Sequence, residues 1–285
     1  MFEYLIMAIF AGFIGSIMGL GGGVIMVPTL TSIFNIPIHK AIALSIMGVV
    51  ATSVSGSSKY FERKLTNIRL AMYLETATTV GALSGALLAL IMREGSLYLI
   101  FAVFAFYVCI AQLHSIRNEE KERVVIYEAH VRRVTNKGFF NFSGEYYDEY
   151  KETNVKYEVC GYLKGWLISM FAGVGSGLLG IGGGFIKVSA INIFMKVPLK
   201  VAIATSKFMI GVTAATSAVL YYVCGVVDLG LVAPIVVGTT IGSYIGTLVM
   251  NRLKSRWLAL AFAMLVAYLG LNMLFKGLRI IGVMI

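Results

Sequence analysis

The 285 residues are 58% hydrophobic and only 13% charged, with a mean hydropathy of +0.84, whereas an average soluble domain has roughly 25% charged residues. A water-soluble core cannot absorb that excess, so the bilayer is the main solvent. The formal net charge of +10 does not point to nucleic acid, because the basic residues flank apolar runs: Arg63, Lys64 and Arg69, then Arg252, Lys254 and Arg256, lie where the positive-inside rule places them.

The three cysteines, Cys109, Cys160 and Cys224, are far apart and have no C-x-x-C spacing, so neither a disulfide framework nor a zinc site is indicated. No metal and no cofactor is expected. A G-x-x-x-x-G-K-[ST] loop, H-E-x-x-H and G-x-S-x-G are all missing from the sequence, which gives no signal for ATP-driven pumping or hydrolysis.

In chain order, the first element is an apolar segment over 4–34 that is interrupted by Gly21-Gly22-Gly23. It carries Glu3 in place of a basic leader and is expected to be retained as part of the fold. Three ordinary spans follow at 38–60, 67–92 and 96–115, each long enough to cross a hydrocarbon layer that takes about 20 helical residues. Residues 116–160 are dense in charge and aromatics (Glu119-Glu120-Lys121-Glu122-Arg123, Tyr146-Tyr147) and are expected to form an extramembrane loop or a small helical insertion. The pattern then restarts: a segment over 161–195 broken by Gly182-Gly183-Gly184, then spans at 199–222, 228–250 and 256–275.

The restart is a duplication. Without a gap, a single offset places Ala11-Gly12 on Ala172-Gly173, Gly19 on Gly180 and one triad on the other. It also places Pro37 on Pro198, Ala41-Ile42-Ala43 on Ala202-Ile203-Ala204, Ser45 on Ser206, Thr52 on Thr213 and Gly81 on Gly242. The chain therefore divides into a first repeat over 1–115, the insertion over 116–160 and a second repeat over 161–285.

Loop charge indicates how the repeats are oriented. The loop near 59–69 carries Lys59, Arg63, Lys64 and Arg69, while its counterpart near 223–229 carries Asp228; the next loop reverses the bias, Arg93 and Glu94 against Arg252, Lys254 and Arg256. Opposite bias in equivalent loops predicts inverted repeats. Inversion needs an odd number of crossings per repeat, which predicts six full spans and two re-entrant glycine-broken hairpins, the alternative being eight plain spans. The expected fold is thus an all-α integral membrane protein of two inverted repeats, each a glycine-broken segment plus three transmembrane helices.

Consecutive glycines are poor helix formers and admit unusual backbone angles. Each triad should break its helix, and the helix restarting at Val24 or Phe185 would then point N–H groups and a positive dipole end into the protein at membrane depth, where an anion is favoured. Lone glycines such as Gly81 and Gly85 read as packing positions. Ionisable residues within spans are functional candidates, and there are three: Glu75, Lys187 and Lys207. Lys187 lies just past the second triad and Lys207 just past the repeated Ser206. Snorkelling to the interface is the alternative for the lysines, and a structural ion pair or a coupling proton are the alternatives for Glu75. The hydroxyls of Ser45, Thr52, Thr205, Ser206 and Thr213 line a polar path or bond their own backbone.

The pattern G-x-x-x-G-[LI]-G-G-G, followed by an apolar half-helix and a proline-marked turn, runs from Gly15 to Pro37 and in looser form from Ser176 to Pro198. With the Ala-x-Ala-x-Ser stretch at Ala41–Ser45 and its copy at Ala202–Ser206, it resembles the TauE/SafE sulfite exporter family, also called the toluene-sulfonate uptake permease family. The resemblance implies transport of sulfite or small organosulfur anions, generally outward and driven by an ion gradient, with the triads and Ser45 and Ser206 at the site. The long charged insertion departs from the family pattern.

The function expected from all of this is a secondary transporter in the cell membrane, not an enzyme. Its partners are a small sulfur-containing anion, the lipid bilayer and a coupling proton or sodium ion. The anion is expected between Gly21, Gly22, Gly23 and Gly182, Gly183, Gly184, with Ser45, Ser206, Lys187 and Lys207 around it and Glu75 in a coupling role. A passive anion channel of the same architecture, and a membrane scaffold or sensor acting through 116–160, are the alternatives.

Overall fold

Each triad turns the chain back on itself. The computed structural model describes residues 1–19, 21–62, 64–129, 142–148, 153–249 and 255–282. In the first repeat the helices are α1 (Phe2–Met18), α2 (Gly23–Ser32), α3 (Ile38–Glu62), α4 (Ile68–Ile91) and α5 (Glu94–Ala129). A two-stranded sheet follows, β1 (Gly144–Asp148) and β2 (Thr153–Tyr157). The second repeat has α6 (Tyr162–Leu179), α7 (Gly184–Ser189) continued by a π turn over Ala190–Phe194, α8 (Leu199–Val223), α9 (Leu229–Val249) and α10 (Ser255–Ile281).

Among the described residues, six helical stretches are long and apolar enough to cross a membrane: α3, α4, Glu94–His114 of α5, α8, α9 and Leu260–Ile281 of α10. The protein is a multi-pass membrane protein. With 17 residues, α1 reaches about 25 Å at 1.5 Å per residue, short of a hydrocarbon core of about 30 Å.

The short helices pair as hairpins. Gly22 packs on Ala11 and on the backbone of Gly15, while at the other end the Tyr4 ring stacks on Phe34 with centroids 4.4 Å apart, so α1 and α2 enter and leave at one end. In the second repeat Gly183 packs against Ala172, and at the mouth the Cys160 N–H donates to the Met195 carbonyl at 3.1 Å. The turns out of the two hairpins repeat each other bond for bond, Ile36 N–H to Leu30 O and Val197 N–H to Ile191 O.

Glycines set the helix packing, and the partners are exchanged between repeats. Gly242 and Gly246 of α9 lie against the α1 backbone at Ile9 and Phe13, and Gly81 and Gly85 of α4 lie against the α6 backbone at Met170 and Val174. Small residues let backbones approach, which matters in lipid where no hydrophobic force draws helices together. The equivalent helices α3 and α8 cross at the centre in opposite directions, with Phe61 on Phe208 and Ser53 on Gly211. In contrast, α3 and α9 run side by side in the same direction, Gly48 beside Thr239 and the Ser243 hydroxyl on the Thr52 carbonyl.

The insertion is more structured than a loop. Its first part, to Ala129, prolongs α5, and β1 pairs antiparallel with β2, Tyr146 opposite Val155. Tyr146, Tyr157 and Val159 are buried in one cluster with Leu70, Leu74, Met195 and Val201, at the mouth of the second hairpin. Asn67 fastens it there: its side-chain oxygen caps α4 by accepting from Leu70 N–H, and its amide donates to Phe142 O and Tyr157 OH. Burial raises the Tyr157 phenol above its ordinary pKa. Residues 130–141 and 149–152 of the insertion, and Arg63, Arg252 and Lys254 of the charged loops, lie outside the described residues.

Candidate functional site

The tips of the two hairpins meet in the middle of the molecule. Gly19, Gly21 and Gly22 have φ of 71°, 76° and 80°, and Gly180, Gly182 and Gly183 have 72°, 77° and 65°. This left-handed run is open to glycine and strained for any other L-residue, and it is what lets α1 and α6 stop and α2 and α7 restart within a few residues. The tips touch backbone to backbone. A Cβ on Gly23 would run into the Gly180 carbonyl, and one on Gly184 would lie 2.9 Å from the Gly19 carbonyl. Gly21 and Gly182 both rest on Val49 of α3 and Ile210 of α8.

The repeated serines reach this seam. Ser45 Oγ donates to Gly180 O at 2.8 Å, crossing from one repeat to the other, and Ser206 Oγ donates to Gly184 O at 3.3 Å. Thr52 Oγ1 is within 3.0 Å of Gly21 O. The structure therefore brings all six triad glycines together with Ser45 and Ser206. In this conformation the space between the triads is closed by their own backbone, with carbonyls turned into it.

The charged candidates surround the seam. Lys187 is wholly buried, which removes the snorkelling alternative for it. Its Nζ donates to Thr213 Oγ1 at 2.5 Å, and the Thr213 hydroxyl in turn donates to Glu75 Oε1 at 2.6 Å. Glu75 is 4% exposed, and its second oxygen, Oε2, has no hydrogen-bond partner among the described residues. One hydroxyl of α8 thus joins a lysine of the second hairpin to a carboxylate of the first repeat.

Lys207 is also buried, at 4% exposure. Its Nζ lies 3.3 Å from the Ser16 carbonyl and 3.4 Å from the Ser16 hydroxyl, near the end of α1, and 5.3 Å from the centroid of the Tyr60 ring. Its backbone carbonyl accepts a hydrogen bond from Ser53 of α3. No carboxylate among the described residues pairs with it. A buried ammonium held by neutral dipoles alone keeps its charge at a cost that an anion would offset.

Lys187 of the second repeat and Glu75 of the first each have no ionisable counterpart at the duplicated position. The repeat partners of Lys187 and Glu75 are Met26 and Val236. The partner of Thr213 is Thr52, which turns to the Gly21 carbonyl instead.

The model of the family described as "Sulfite exporter TauE/SafE" matches residues 4–273. The chain belongs to the sulfite exporter TauE/SafE family. Two relatives from Bacillus subtilis (strain 168) are similar over nearly their whole length. "Probable membrane transporter protein YunE" is 25% identical over 280 residues, covering 96% of this chain and 97% of the relative. "Probable membrane transporter protein YdhB" is 25% identical over 271 residues, covering 95% and 97%. No solved structure matches the chain. Membership makes the chain a membrane transporter of the sulfite exporter class.

Within this family member, three contributors escape a reading of the sequence. Ser16 and Tyr60 hold Lys207; Ser16 lies at no repeated position and beside no ionisable residue, and Tyr60, though it repeats as Tyr221 and follows Lys59, has nothing in sequence that links it to Lys207. Thr213 is visible as a repeated hydroxyl, but its place between Lys187 and Glu75 depends on three helices from both repeats. Thr205, in contrast, accepts from Asn67 N–H at 3.1 Å and so serves the join to the insertion.

Proposed function

We propose that this chain is a secondary transporter, without enzymatic activity, that carries sulfite or a small organosulfur anion across the cell membrane, generally outward. The observation that carries the reading is the pair of buried lysines beside the hairpin seam, one of them without a carboxylate partner among the described residues. At membrane depth an unpaired cation is expensive and marks a pathway for the opposite charge. The substrate meets Lys207 and Lys187 when the hairpins part, and the triads, Ser45 and Ser206 supply the flexible backbone and hydroxyls around it. Their contact through glycine backbone, without interlocking side chains, favours such parting.

The two repeats are read as inverted, so that rocking of one against the other exposes the seam to either side in turn. The opposite directions of α3 and α8 support this, as does the opposite charge bias of equivalent loops. The test is uptake of sulfite, thiosulfate, sulfoacetate and sulfate into proteoliposomes under an imposed proton or sodium gradient. Accumulation against the anion gradient supports the transporter; flux that only relaxes the anion gradient makes it a channel, and no flux of any of the four overturns the reading.

A further inference from the structure

The Oε2 atom of Glu75 is a buried carboxylate oxygen without a hydrogen-bond partner among the described residues. Such groups are few in native proteins, because leaving one unpaired costs the desolvation of a charge. Across the seam between α4 and α6 there is a second orphan, Ser169 Oγ, which is wholly buried. Ser169 lies one turn before Gly173, which packs on Thr78, and Glu75 lies one turn before Thr78, so the two stand at the same level.

The charged surroundings of Glu75 are simple. From α7 it faces Lys187, through Thr213 of α8. Lys207 of α8 is engaged with Ser16 and Tyr60. The stretch of α6 packed on α4, residues 166–177, contains no ionisable residue, and on α4 itself the nearest is Tyr73, followed by the exposed Arg69 one and a half turns away. Glu75 therefore holds one cation and has one oxygen open.

Resting on the anion-transport reading above, we propose that Glu75 is the proton site of the transport cycle and that it competes with the substrate anion for Lys187. With Glu75 ionised, Lys187 is committed to it through the Thr213 hydroxyl. A proton from water adds to Oε2, the carboxyl becomes neutral, and the Lys187 charge passes to the incoming anion. Binding one anion then takes up one proton, and releasing the anion gives the proton back. No other bond forms or breaks. The stoichiometry is one because the repeat-related positions, Met26 and Val236, cannot ionise.

The experiment uses the full chain in detergent with thiosulfate and sulfite as probes. Affinity is measured by calorimetry across the neutral pH range in two buffers of different ionisation heat, which counts protons taken up. For the wild type, thiosulfate affinity should fall by up to about tenfold per pH unit as pH rises, with close to one proton taken up per anion. Glu75→Gln imitates the protonated carboxyl and should bind thiosulfate with a shallower pH profile, taking up about one proton fewer per anion than the wild type, what remains belonging to the lysines. Comparing the two proteins cancels the titration of sulfite itself.

Wild-type binding of thiosulfate without proton uptake overturns the proposal whether or not the variant folds, and leaves the transporter reading intact. An equal pH slope in Glu75→Gln overturns it too. Failure of the wild type to bind either anion removes the transport reading and this proposal with it.

Discussion

Ser45, on the first span of the first repeat, donates its hydroxyl to the carbonyl of Gly180 at the tip of the second hairpin, at 2.8 Å. Both residues are buried. This bond ties a membrane-crossing helix of one repeat to the turning point of the other, across the contact between the two hairpin tips.

Ser45→Ala removes the donor and leaves a buried carbonyl short of a partner, at a cost of about 1 to 3 kcal/mol. The variant is expected to unfold at lower temperature and to open the seam more readily. Thermal unfolding in detergent, with sulfite flux in proteoliposomes, reads both. An unchanged melting temperature would mean that the bond contributes nothing to holding the tip.

Gly22→Ala and Gly183→Ala place a Cβ where φ is 80° and 65°, with a carbonyl 2.9 Å (Ala11) or 2.6 Å (Ala172) away. The left-handed backbone alone costs about 1 to 2 kcal/mol. Transport should fall in both and be lost in Gly22→Val and Gly183→Val. Normal flux through a folded valine variant would show that the tips do not need this conformation.

Two glycines on the same helix pair separate packing from mere helix propensity. Gly81→Ala would push a Cβ into the Met170 carbonyl on α6, whereas Gly175→Ala meets nothing within 4 Å. The first should destabilise by about 1 to 3 kcal/mol through overpacking. The second should be neutral, or gain about 0.5 to 1 kcal/mol. Equal melting temperatures for the two would contradict the close α4–α6 approach.

α3 and α9 run in the same direction and α8 runs against them, so the chain after α3 and after α9 emerges at one end and Cys224, after α8, at the other. With the other native cysteines replaced by serine, Lys64→Cys and Lys254→Cys should be protected from an impermeant thiol reagent on whole cells, and Cys224 alone should be labelled. External labelling of Lys64→Cys would reverse or reject this arrangement.

The glycine breaks and the six spans were legible because lipid leaves so few options: an apolar run must be a helix, and a triad of glycines inside one must interrupt it. Glu75, Lys187 and Lys207 stood out for the same reason, as charges where charge is expensive. Which of them meet was not legible. Lys187 and Glu75 are joined by a threonine from a third helix, and Lys207 found a serine near the end of α1 instead of a carboxylate. The strands of the insertion were missed because the run is polar and short, and their burial comes from docking on Asn67 and the mouth of the second hairpin.

The confinement of Lys187 and Glu75 to one of two duplicated positions also bears on the balance of the cycle. Two identical halves related by a two-fold axis in the membrane plane would make the inward-facing and outward-facing forms equivalent and equal in energy, with no preferred resting side. In a carrier that works as proposed, methionine and valine at the sister positions would break that degeneracy, because only one of the two forms would have to accommodate a charged cluster near the opening. The empty carrier would then rest facing one compartment, set by pairs of residues rather than by the gradient it works against.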